Sequence, residues 1–200
     1  MKVQTKSEMN EKRFRVVIFG SARIEKGDPT WNLVYGLAKS IAMEGMDLVT
    51  GGGPGLMNAA SEGHNAGDIN HKTNSIGLQI KLPDTQRDAY HLDIVKEFYR
   101  FSTRLDNFME LANAVVVAPG GVGTLLELCY TWQLMQVNMI NNIPIILIGD
   151  MWSDFGLWIK KWALKNKFLD QRDFTLLHLV NNYTDALEIL KNAYKMNTKS

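Results

Sequence analysis

Two glycine-rich stretches hold most of the chemistry this sequence could perform. Residues 50–55 read TGGGPG and residues 119–124 read PGGVGT. Each follows a short apolar run rich in β-branched residues and precedes a segment with helical spacing. Glycine admits positive φ and lets a ligand approach the backbone closely. A helix starting just past such a turn presents unpaired N–H groups and the positive end of its dipole. That is an anion site, and phosphate is its common occupant. The candidate binding residues are therefore Gly52, Gly53, Gly120, Gly121, Val122, Gly123 and Thr124, with Gly20 and Ser21 in a weaker third turn, GSAR at residues 20–23. Glu127 stands three residues past Thr124. With a helix starting near Thr124, it lies one turn in, on roughly the side of the N–H groups. A carboxylate there can serve a reacting centre. It can equally complement the helix dipole, or pair with Gly123 and Thr124 in a capping box. Thr124 reads as a helix N-cap as well as a phosphate donor. Thr131, two turns on and on nearly the same face, could reach a ligand or bond back to its own backbone.

Several chemistries are excluded. Neither cluster fits the dinucleotide pattern GxGxxG in its context, and neither has the lysine of a phosphate-binding P-loop. A nicotinamide dehydrogenase or a nucleotide triphosphatase is therefore unsupported. His64, His71, His91 and His178 are scattered without metal-ligand spacing, so neither a metal nor a cofactor is expected. Cys129, the single cysteine, excludes an intramolecular disulfide and is expected to be a small buried apolar residue. Lys plus Arg number 22 against 21 Asp plus Glu, a formal charge of +1. A near-neutral chain without a basic strip argues against nucleic acid as the partner. No apolar run is long enough for a membrane span or a signal peptide, so a soluble cytoplasmic protein is expected.

Alternating elements must position these turns. Strands are expected at residues 15–20, 46–50, 75–80, 94–98, 114–118, 144–148 and 176–180. Helices are expected after Asp28-Pro29, at 56–66, 103–111 and 124–138, around Trp158 and Trp162, and from Thr184 to about Lys195. The alternation predicts an α/β, Rossmann-like doubly wound parallel sheet with helices on both faces. The 200 residues, 46% apolar, are expected to form a single domain with its core at about 14–196 and a polar tail at 1–12. Trp132, Trp152, Trp158 and Trp162 could supply apolar walls for a ligand or lie in a subunit interface.

Residues 119–127, PGGVGTLLE, fit the pattern PGGxGTxxE and resemble the signature of the Lonely Guy family, nucleoside 5′-monophosphate phosphoribohydrolases whose members have often been labelled lysine decarboxylases. Collinear segments extend the likeness from about Arg15 to Tyr194: GSAR at 20–23, TGGGPGLM at 50–57, FSTR at 101–104 and TWQL at 131–134. The resemblance implies hydrolysis of the N-glycosidic bond of an AMP-type or cytokinin riboside monophosphate, giving free base and ribose 5-phosphate. It further implies Glu127 and Arg104 as catalytic residues, and a homo-oligomer, dimer or higher. Such a bond breaks through an oxocarbenium-like state that a carboxylate stabilises. A guanidinium can clamp phosphate or ribose, or polarise the leaving base. Taken alone, Arg104 would be read as a surface partner of Asp106 or Glu110. Three positions depart from the family pattern: Leu105 stands where a Lys commonly follows the Arg, Leu126 where an acid precedes the final Glu, and Asn58 where Glu is common. They bear on affinity and substrate choice, and they suit an alternative, a non-catalytic nucleotide-binding protein of the same fold.

Overall fold

The computed structural model describes residues 13–81 and 90–198; the expected polar tail at 1–12 lies outside them. Seven strands, β1 (Arg15–Phe19), β2 (Asp47–Thr50), β3 (Ser75–Ile80), β4 (Ile94–Phe98), β5 (Ala114–Val117), β6 (Ile145–Ile148) and β7 (Leu177–Val180), form one sheet in the order β4-β3-β2-β1-β5-β6-β7. Every pairing is parallel. The chain winds outward from β1 in one direction, then returns to β5 and winds outward in the other. The expected doubly wound α/β sheet is what forms, and its switch point lies between β1 and β5.

Among the described residues, seven α-helices cover the sheet: α1 (Pro29–Met43), α2 (Leu56–Gly67), α3 (Phe101–Leu111), α4 (Val122–Gln136), α5 (Asp150–Ile159), α6 (Gln171–Phe174) and α7 (Tyr183–Asn197). Strand residues alternate between two cores. Val16, Ile18, Leu48, Val116 and Ile146 face α1, α2 and α7 through Leu37, Ala59 and Leu190. Val17, Phe19, Val49, Val115 and Leu147 face α3, α4 and α5 through Phe108, Leu128 and Trp152. A strand buried on both sides needs a continuous apolar run, and the central strands β1 and β5 have one. Phe19 meets Phe108 edge to face, ring centroids 5.0 Å apart, which ties α3 to the central strand.

Local signals explain the helix starts. The Asp28 side chain accepts from Thr30 N at 2.7 Å, and Pro29 occupies the first helical position, as the sequence led us to expect. Two helical features were not anticipated at all. After α5 the helix widens into a π-helical stretch at Lys160–Leu164, and α6 is an additional short helix closed by a capping box of Asp170 and Asp173. Trp152 is fully buried against Phe155, so it is core rather than a wall for a ligand. Trp132 donates from its indole N–H to Asp173 O at 2.8 Å, whereas Trp158 and Trp162 are exposed.

Candidate functional site

Both glycine turns lie at the carboxyl ends of β2 and β5, the two strands that flank β1, near the switch point where ligands bind in such sheets. Ser21 N donates to Pro119 O at 3.0 Å, and Leu56 N donates to Ser21 O at 2.9 Å. The turn after β1 is thereby stitched to the turn after β5 and to the start of α2. Gly20 is glycine for packing: a Cβ there would come within 2.9 Å of Leu56 Cδ1.

The turn after β2 is buried. Gly52 has φ +62°, donates to Thr50 Oγ1 at 3.1 Å and accepts from Gln79 Nε2 at 2.8 Å. Gly53 is buried beside it. The turn after β5 is open instead. Gly121, Val122 and Gly123 are exposed, and a Cβ at Gly121 or Gly123 would meet nothing within 4 Å. The first-turn N–H groups of α4 have no intrahelical partner, and Gly121, Val122 and Gly123, three of the residues that carry them, are exposed. Gly120 differs, because a Cβ there would collide with the Thr124 hydroxyl.

α4 begins at Val122, with Gly121 as its N-cap, two residues before the expected start. Thr124 is thus the third helical residue and buried, not a cap. Glu127 falls in the second turn, beyond the reach of the terminal N–H groups, so neither the dipole nor the capping-box reading describes it. It meets Arg104 instead: Arg104 Nη1 donates to Glu127 Oε1 at 3.2 Å, with side chains 8% and 13% exposed. Arg104, in the second turn of α3, also donates from Nε to Leu78 O at 2.6 Å and lies over the Phe108 ring, 4.9 Å from its centroid. The surface pairing with Asp106 or Glu110, the reading of Arg104 taken alone, gives way to this buried one. Asp106 accepts from the Tyr130 hydroxyl.

Burial sets the electrostatics. Desolvation pushes the Glu127 carboxyl up from its ordinary 4.5 to about 7, against the pull of the Arg104 charge and hydrogen bond. A carboxyl poised near neutrality beside a fixed guanidinium can exchange a proton at physiological pH, a hallmark of acid–base sites. The Thr131 hydroxyl is fully buried and donates to Glu127 O at 2.8 Å, fixing the turn that carries the carboxyl.

The departures from the family pattern have distinct surroundings. Leu105 is buried, Leu126 is 45% exposed, and Asn58 Oδ1 is buried without a hydrogen-bond partner. Cys129 is exposed rather than buried, because it lies on the outward stripe of α4 with Leu126 and Val137. A cavity of about 700 Å³, lined by Phe14, Asn113, Asn141 and Pro144 among others, lies at the opposite, amino end of the strands. A smaller one of about 310 Å³ borders the switch point through Pro119, Gly149 and Thr30. Among the described residues, no cluster of three or more His, Cys, Asp or Glu could hold a metal ion, and no helix is long and apolar enough to cross a membrane.

The parallel sheet, the exposed turn that opens α4 and the buried Arg104–Glu127 pair together define a doubly wound α/β protein. The family model described as "Possible lysine decarboxylase" matches residues 57–190, and the chain belongs to that family, the Lonely Guy family of the signature. The cytokinin riboside 5′-monophosphate phosphoribohydrolase of Mycobacterium marinum is 28% identical over 163 residues, 78% of this chain and 82% of its own length. The pyrimidine/purine nucleotide 5′-monophosphate nucleosidase of Escherichia coli K12 is 26% identical over 140 residues, 67% of this chain but only 30% of its own length. Among solved structures, the molybdenum cofactor binding protein of Rippkaea orientalis shares the fold with a TM-score of 0.67 at 21% identity, covering 90% of this chain and 97% of that one.

Proposed function

We propose that the protein is a hydrolase that cleaves the N-glycosidic bond of a nucleoside 5′-monophosphate, of the AMP or cytokinin riboside type, to free base and ribose 5-phosphate. The observation that carries this reading is the buried Arg104–Glu127 pair beside the open turn of α4. It is supported by the names of the relatives from M. marinum and E. coli. The 5′-phosphate rests on the N–H groups of Gly121, Val122, Gly123 and Thr124. Gly20, Ser21, Gly52 and Gly53 shape the neighbouring wall. As the C1′–N bond breaks, its electron pair leaves with the base and positive charge develops on the ribose. The Glu127 carboxylate stabilises that charge and takes the proton of the attacking water. Arg104 holds the carboxylate in place and partly ionised at neutral pH. Water supplies the hydroxyl at C1′, and its proton passes to the departing base.

The active form is a homo-oligomer in this proposal, and the reaction is cytoplasmic. α4 supports the first point. Its outward stripe of Val122 (84% exposed), Leu126 and Val137 is apolar, whereas a helix facing solvent is ordinarily polar there. A second reading, nucleotide binding without turnover, is favoured by Leu105, which buries an apolar group where the family pattern has a cation.

The two readings separate in one experiment. The folded protein is incubated with AMP and related monophosphates, free base is followed by chromatography, and thermal shift is recorded in parallel. Release of base that is lost in Glu127→Gln and Arg104→Ala establishes the hydrolase. Thermal stabilisation by nucleotides with no base released from any of them establishes the binder.

A further inference from the structure

Gly51, the first glycine of the buried turn, is not explained by its backbone. Gly52 and Gly55 carry φ of +62° and +69°, conformations that favour glycine, whereas Gly51 lies outside that region. Its requirement is spatial. A Cβ at Gly51 would overlap Arg104 Nη2 and come within 2.7 Å of Met57 Sδ. The guanidinium thus passes directly over the bare Cα of Gly51 on its way from Leu78 O to Glu127. Both colliding atoms are the ends of flexible side chains, so an added methyl group displaces them rather than the fold. The Met57 thioether adapts readily. Arg104 cannot yield without losing the geometry of its bonds to Leu78 and Glu127.

We propose that Gly51 is a positioning residue: its missing side chain is the slot that lets Arg104 reach Glu127. The inference rests on the proposed roles of Arg104 and Glu127 in the reaction, but its structural content can be tested without substrate. β3 contributes the other side of the slot, since Leu78 O holds Arg104 Nε and the Gln79 side chain holds Gly52 O.

The test is a double-mutant cycle of Gly51→Ala and Arg104→Ala, read by the carbon-13 NMR titration of the Glu127 carboxyl. In the unaltered protein the carboxyl is expected to titrate at about 7. Gly51→Ala is expected to move the midpoint upward, toward the value found in Arg104→Ala, because the lowering influence of the guanidinium is lost. In the Arg104→Ala background, Gly51→Ala is expected to add no further shift. In a turnover assay, Gly51→Ala should lower kcat at least tenfold, and the double variant should be no slower than Arg104→Ala. A midpoint unmoved by Gly51→Ala, or moved equally in both backgrounds, overturns the proposal. Should Gly51→Ala alone fail to fold, folding of the double variant supports the slot, and failure of both overturns it. Absence of base release by the unaltered protein would defeat the proposed reaction while leaving the titration outcome to stand or fall by itself.

Discussion

Replacing Glu127 by Gln should make the protein more stable at pH 8 relative to the unaltered chain than it does at pH 5. The Glu127 carboxyl titrates at about 7 in the fold against an ordinary 4.5, because burial disfavours its charge. Between those values the native state holds a proton that the unfolded chain has released, so stability falls as pH rises from about 4.5 through 7. At about 1.4 kcal/mol per pH unit, ionising this buried group costs about 3 kcal/mol above pH 7, most of it still absent at pH 5. Gln cannot ionise, so the variant lacks this loss. Both proteins share all other titrating groups, and both leave Arg104 without a carboxylate at low pH, so those contributions cancel in the comparison. The expected gain of the variant between pH 5 and pH 8 is about 2–3 kcal/mol. In a domain of this length that corresponds to about 5–10 °C in Tm. Urea unfolding of both proteins at the two pH values measures it. Parallel pH profiles for the two proteins would refute the claim that Glu127 is a buried carboxyl held near neutrality.

Other consequences can be checked in the same preparations. The kcat/KM for AMP should fall as pH drops below about 7 as Glu127 takes up its proton, and Glu127→Gln should lower kcat by about 10²-fold or more while flattening that limb. Phe108→Ala, which removes a fully buried ring beneath Arg104, should cost about 3–5 kcal/mol in chemical denaturation. Asp28→Ala removes the acceptor that caps α1 and should cost about 1 kcal/mol, read by the same unfolding curves. Leu126→Glu places a charge on the apolar stripe of α4 and should shift the species seen by sedimentation toward the monomer.

The sequence disclosed the fold more fully than the site. β3 and β4 were legible to the residue, since each is a short alternating or apolar run between clear breaks. The start of α4 was not, because Gly121, Val122 and Gly123 are weak helix formers. The first turn of a helix, however, needs no i−4 partner, and there the geometry of the strand end outweighs propensity. The π-helical stretch and α6 carry no periodic signal of their own. Glu127 and Arg104 were marked by the family resemblance, but their pairing joins residues 23 positions apart on two helices, and only tertiary packing brings them together. The exposure of Cys129 follows from the outward phase of α4, which residue type alone does not disclose. Gly51 looked like one more turn glycine, and its proximity to Arg104 emerges only once α3 is docked on the sheet.

The most direct measurement is proton NMR of one reaction mixture containing AMP and adenosine in equal amounts. The account predicts that adenine and ribose 5-phosphate appear one to one from the monophosphate while the nucleoside, which has no phosphate to seat on the turn of α4, is left largely intact. Equal consumption of both compounds, or persistence of both with folded protein, would contradict it.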